Sequence, residues 1–163
     1  MSITDKGELK GIGGWLILVA IGVTVSPFVA VVMDYASSSQ TFNTEVWSAL
    51  TDSNSPVYTP YFALTVSLET IIRIIIDAYL FYLMYLFYSK KSGFPTLFIR
   101  LVFFVFIFTI VDIIAVIFLF PDLTAEDLFD PLTIRSIGQL IFAILVWVPY
   151  MQTSVRVKNT FIN

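Results

Sequence analysis

Four long apolar stretches alternate with short polar ones along the chain. They run from about Trp15 to Tyr35, Tyr61 to Tyr88, Thr96 to Phe120 and Leu132 to Met151. A helix needs about 20 apolar residues to cross the hydrocarbon core of a bilayer, and each stretch meets that length. The pattern predicts an all-α fold: a four-helix integral membrane bundle, up-down-up-down, in one transmembrane domain over residues 1–163. The outer loops are 36–60 and 121–131, the inner turn is 89–95, and the ends 1–14 and 152–163 lie on the inner side.

The polar breaks carry local signals. Ser37-Ser38-Ser39 and Asp52-Ser53-Asn54-Ser55-Pro56 read as turns. Between them, Phe42, Val46, Trp47 and Leu50 fall on one face of a short helix suited to the membrane surface. Thr124 and Asp127 form a capping-box pair with Asp in place of the usual Glu or Gln. Asp130-Pro131 suits an N-cap and first helical residue for the fourth span. Pro27 and Pro149 each remove a backbone donor and should bend their helices. Gly22, Ser26 and Ala30 recur every fourth residue, a stripe that lets a neighbouring helix approach closely. The first span is too long for a signal-peptide core, and Asp34 occupies the −3 position of the only plausible cleavage, after Ala36, so the segment is read as retained.

Composition agrees with this class. Of 163 residues, 58% are hydrophobic and only 13% charged, well below the charge of a soluble domain. There is no Cys and no His, which excludes disulfides, thiolate chemistry, Cys/His zinc sites and a histidine base. No cofactor is expected, and no basic run suggests nucleic acid. Charge is divided sharply between the two sides. Lys6, Lys10, Lys90, Lys91, Arg100, Arg156 and Lys158 fall on one side, with Asp5 and Glu8. Arg135 alone faces Asp34, Glu45, Asp52, Asp122, Glu126, Asp127 and Asp130 on the other. The positive-inside rule makes the basic side cytoplasmic, with both termini inside.

The remaining charges lie within the spans. Glu69, Arg73 and Asp77 stand at i, i+4 and i+8 on the second span, so they stack along one slowly winding helix face. Each charge near mid-bilayer costs about 2.5–3.5 kcal/mol on insertion scales, so such groups usually face protein or water and have partners. At ~1.5 Å rise per residue, Asp112 on the third span comes level with Glu69 and Arg73, and Gln139 on the fourth lies at a similar depth. Asp34 and Arg135 could pair at the outer rim.

Three readings follow from this ladder. As a structural lock, Glu69 pairs with Arg73, Asp112 pins the third helix through the guanidinium fork, and Asp77 holds a proton or bonds a tyrosine. As a pathway, excess acid beside an arginine at the midplane suits a proton- or cation-coupled carrier or a ligand sensor, one small enough to require a homodimer. As an enzyme, Asp77 and Asp112 would form an intramembrane aspartyl pair, but no Gly-x-Gly-Asp context supports it. Gly11-Ile12-Gly13-Gly14 is a poor phosphate loop, with no strand before it and no Lys-Ser/Thr after it.

The two ends of the chain add a resemblance. Gly11-Ile12-Gly13-Gly14-Trp15-Leu16-Ile17-Leu18, Phe94-Pro95 after Lys90-Lys91, Arg135-Ser136, Trp147-Val148-Pro149-Tyr150 and Ser154-Val155-Arg156-Val157-Lys158-Asn159-Thr160-Phe161 resemble the bacterial family known as domain of unknown function 2569. The resemblance implies a four-helix protein of the bacterial inner membrane. It implies no catalytic residue and does not include the charged ladder. Its motifs converge on a cytoplasmic rim of Gly13, Gly14, Trp15, Trp147, Pro149, Tyr150, Arg156 and Lys158. The sequence therefore points first to a non-enzymatic accessory or interaction module. Its partners would be the lipid bilayer, through head groups at the rim, and a membrane-protein partner. The carrier or sensor built on the buried charges is the alternative.

Overall fold

The computed structural model describes residues 9–163, so Asp5, Lys6 and Glu8 of the inner charge balance lie outside the described residues. Among the described residues, four helices are long and apolar enough to cross a membrane: Leu16–Thr41, Phe62–Tyr88, Phe94–Leu119 and Pro131–Thr153. The protein is an all-helical membrane bundle, with no strand among the described residues. We label the elements α1 (Leu16–Thr41), α2 (Thr44–Thr51), α3 (Phe62–Tyr88), α4 (Phe94–Leu119), α5 (Ala125–Leu128), α6 (Pro131–Phe142), a π-helical segment (Ala143–Trp147), α7 (Val148–Thr153) and α8 (Val155–Thr160). The fourth span is α6, the π segment and α7 in succession.

Several boundaries moved for local reasons. Helix α1 continues six residues past Tyr35, through the serines expected to turn. Ser39 and Thr41 donate their hydroxyls to the carbonyls of Ala36 and Ser37, so these polar side chains satisfy themselves on the helix. Helix α4 starts at Phe94, with Pro95 in its first turn where no backbone donor is required. Asp130 caps α6 by accepting from the Thr133 N–H at 2.7 Å. Thr124 and Asp127 make the full reciprocal capping box on α5. Near Pro149 the helix resets: the Val148 N–H donates to the Ala143 carbonyl five residues back, just before the proline that can donate nothing.

The short surface helix exists as α2, and it roofs the acidic end. Trp47 lies 4.9 Å from Phe42 and 5.9 Å from Phe62, ring to ring. The packed core sits at the opposite, basic end, around Leu16, Val19, Leu83, Phe87, Phe94, Val157 and Phe161. The closing residues belong to that core. Phe161 stacks 4.7 Å from Phe94 and lies 5.5 Å from Phe87. The last residue, Asn163, exchanges backbone hydrogen bonds with Lys90 and Ser92 in the α3–α4 turn.

Helix α1 packs most extensively on α3, and α4 joins α3 to the fourth span. The small-residue stripe does not receive a close helix: a Cβ on Gly22 would meet nothing within 4 Å. Helix α1 instead seats its neighbouring face, with Val19, Val23 and Pro27 buried. Gly22 and Ser26 border an apolar cavity of about 280 Å³ shared with Leu83, Leu101, Leu140 and Trp147.

Candidate functional site

The charged ladder closes on Arg73. Glu69 accepts from Arg73 Nε at 2.7 Å and lies 2.6 Å from Nη2, the i, i+4 pair that helical spacing demands. Asp112 Oδ2 of α4 lies 3.7 Å from Nη2, and Asp34 Oδ1 of α1 lies 3.4 Å from Nη1. One guanidinium thus ties three helices, and the Phe108 ring stands 5.9 Å from its centre. The cluster is not sealed. The side chains of Arg73, Asp34, Glu69 and Asp112 keep 36, 25, 27 and 27% of their surface open.

That open surface faces two cavities. An outer cavity of about 450 Å³ lies under α2, between Val46, Leu50, Phe62 and Phe120, and reaches down to Glu69 and Asp112. A second, of about 320 Å³, is lined by Asp34, Arg73, Asp77, Phe108 and Asp112. Both touch Asp112, so the ion-pair cluster stands between them. The second cavity shares Leu80 and Val105 with the apolar cavity beside Gly22. Three spaces therefore follow one another along the bundle, with the charges concentrated between the first and second.

Asp77 is the odd member. It lines the second cavity, one turn past Arg73, yet its Oδ1 is buried and has no hydrogen-bond partner among the described residues. No tyrosine reaches that oxygen. Among the described residues, no group of His, Cys, Asp or Glu is arranged to hold a metal ion.

Two expectations at this end need correction. Asp34 does not pair with Arg135; with α1 extended to Thr41, Asp34 lies within the helix and turns to Arg73. Its register was available in the sequence, because Asp34 continues the Gly22, Ser26, Ala30 series by one more step of four. Arg135 is exposed on α6 and pairs with no acid among the described residues. Gln139, one turn along the same face, is also exposed and does not join the cluster. The fourth span meets the bundle chiefly through α4, which leaves this face of α6 outward.

At the basic end the rim residues do assemble. Trp15 and Trp147 meet edge to face at 6.4 Å, and Tyr150 lies 6.1 Å from Trp147. Arg156 Nη1 donates to the carbonyls of Lys10 and Gly11 at 3.4 Å. Thr160 accepts from the Gly11 N–H at 2.9 Å. Gly11 and Gly14 hold φ of +81° and +56°, a left-handed bend that other residues resist. The opening and closing motifs are each other's binding partners.

A family model described as "Protein of unknown function (DUF2569)" matches residues 9–162. The chain belongs to this family. In this DUF2569 protein the Gly-Gly-Trp opening and the Ser154–Phe161 ending close the fold upon itself, leaving Pro149 and Lys158 exposed at the rim. The matched region also contains the whole charged network. No curated protein and no solved structure matches the DUF2569 chain.

Proposed function

We propose that this protein is a non-enzymatic membrane module that responds to a proton or a small cation, as a carrier or a sensor, through the network of α1, α3 and α4. One observation carries the reading: Asp77 lines the mid-membrane cavity beside Asp34 and Arg73, with a buried oxygen that nothing among the described residues satisfies. Four acids share one arginine here, so the site is short of positive charge. A proton or a monovalent cation from the outer cavity would supply it. In this reading the basic end faces the cytoplasm of a bacterial inner membrane, with both termini inside, and the outer cavity opens away from it. A carrier of four helices would work as a pair of copies.

The accessory role expected from the rim motifs has less support. Trp15 is 63% exposed and Lys158 is exposed. The rest of the closing motif, however, holds the chain's own ends.

The chain has no cysteine, so single cysteines can be placed without background. Impermeant thiol reagents should label cysteines at Thr65, in the outer cavity, and at Asp77, from the acidic side only. A cysteine at the lipid-facing Ile110 should stay unlabelled. Asp77→Asn should fold and lose the response. If Thr65 and Asp77 stay unlabelled while Ser154 labels strongly, the network is a dry lock and the proposal fails.

A further inference from the structure

The lipid-facing groove between α3 and α4 holds a cation without a counter-charge among the described residues. Arg100 lies about 9 Å along α4 from its start at Phe94, well past the basic turn at Lys90 and Lys91. It is exposed, and all three ion pairs among the described residues belong to Arg73. Arg100 borders a cavity of about 360 Å³ whose other walls are Ile75, Ile76, Tyr79, Leu101 and Phe104. Tyr79 begins a row of rings, 6.2 Å to Tyr82 and a further 6.4 Å to Tyr85, that leads toward the basic turn.

An unpaired guanidinium beside hydrocarbon is costly, and its stem lets it reach toward the head groups. The planar fork matches a phosphate in two-point hydrogen bonding. A tyrosine hydroxyl at that level adds a donor while its ring stays in the apolar layer. We propose that this groove binds one anionic phospholipid from the leaflet at the basic end. Its phosphate rests on Arg100 and the Tyr79 hydroxyl, and an acyl chain runs toward the bilayer centre along Ile75, Ile76 and Phe104. The order of chemistry selects a lipid over a protein partner. Charge lies at the rim end of the groove, and only apolar side chains lie deeper. The site is on the outside of α3 and α4 and does not depend on the Asp77 reading.

The test is native mass spectrometry of the purified full chain, released from detergent with equal amounts of phosphatidylglycerol and phosphatidylcholine of identical acyl chains. One phosphatidylglycerol should be retained, about fivefold over phosphatidylcholine, since one basic residue at a lipid surface contributes roughly that factor. Arg100→Gln should bring the two lipids to parity. Tyr79→Phe should reduce the preference, and Lys158→Gln should leave it unchanged. Ile75→Trp, on an exposed wall, fills the acyl path without touching charge and should lower retention of both lipids; it serves if Arg100→Gln fails to fold. No preference in the wild type, a preference that survives Arg100→Gln, or retention of both lipids unchanged by Ile75→Trp overturns the proposal. So does an Arg100→Gln variant that dissociates a dimer with its lipid count unchanged, because the counter-charge would then come from a second copy.

Discussion

Arg156 lies so tightly over Gly13 that a Cβ added there would come within 2.7 Å of Nη1. This contact joins the first described turn of the chain to its last helix. Gly13→Ala should push the guanidinium off the Lys10 and Gly11 carbonyls and lower thermal stability by about 1 kcal/mol, the worth of an ordinary hydrogen-bond loss. Arg156→Ala should cost a similar amount. The double variant should cost little more than either alone, since both remove one interaction. Strictly additive losses in a thermal melt would show that the two residues are not coupled.

Phe161 is a core residue although it is third from last in the sequence. It is 5% exposed and packs on Phe87 and Phe94. Phe161→Ala should cost about 3–5 kcal/mol, as for other buried aromatics. Deleting the last three residues should be at least as damaging. Retention of a wild-type melting temperature by the truncated protein would contradict this placement.

Arg73 serves three carboxylates, so its loss should outweigh the loss of any one of them. Arg73→Gln should destabilise by more than the ~1 kcal/mol of an exposed pair and less than the 3–5 kcal/mol of a fully buried one, because the cluster borders two cavities. Adding Asp112→Asn to Arg73→Gln should restore part of that stability by removing one unpaired charge. Further destabilisation in the double variant would place Asp112 outside the cluster's electrostatic balance.

Asp130 gives the entrance of the fourth span a dependence on acid. The Thr133 backbone N–H holds its carboxyl below the usual carboxylate range. Because the folded value is depressed, the stabilisation is fully present above the ordinary aspartate value, about 3.9, and fades as pH falls through the lower folded value. Exchange of the Thr133 amide should therefore quicken only in strong acid. Asp130→Asn keeps a capping oxygen and should make exchange there independent of carboxylate titration. Acid sensitivity unchanged in that variant would assign it to another group; Asp127, lowered by its Thr124 hydrogen bonds, is the neighbour to test next.

The four spans, the surface helix with Trp47 on its packed face, the capping box at Thr124 and the level of Asp112 with Arg73 were all legible in the residues. Each depends only on local spacing: apolar run length, a cap three residues from its target, or a fixed rise per residue. Other features needed the tertiary structure. Asp34 turns to Arg73 while Arg135 and Gln139 remain outside; Gly22 faces a cavity instead of a helix; Phe161 enters the core; and Arg100 stands in a groove with no acid partner among the described residues. These depend on how each helix is rotated about its axis and which neighbour it meets. Lipid is as apolar as leucine, so hydropathy that drives a helix into the bilayer does not choose the face it turns inward. That choice came from packing of the ends, where glycines, tryptophans and the closing phenylalanine lock the bundle.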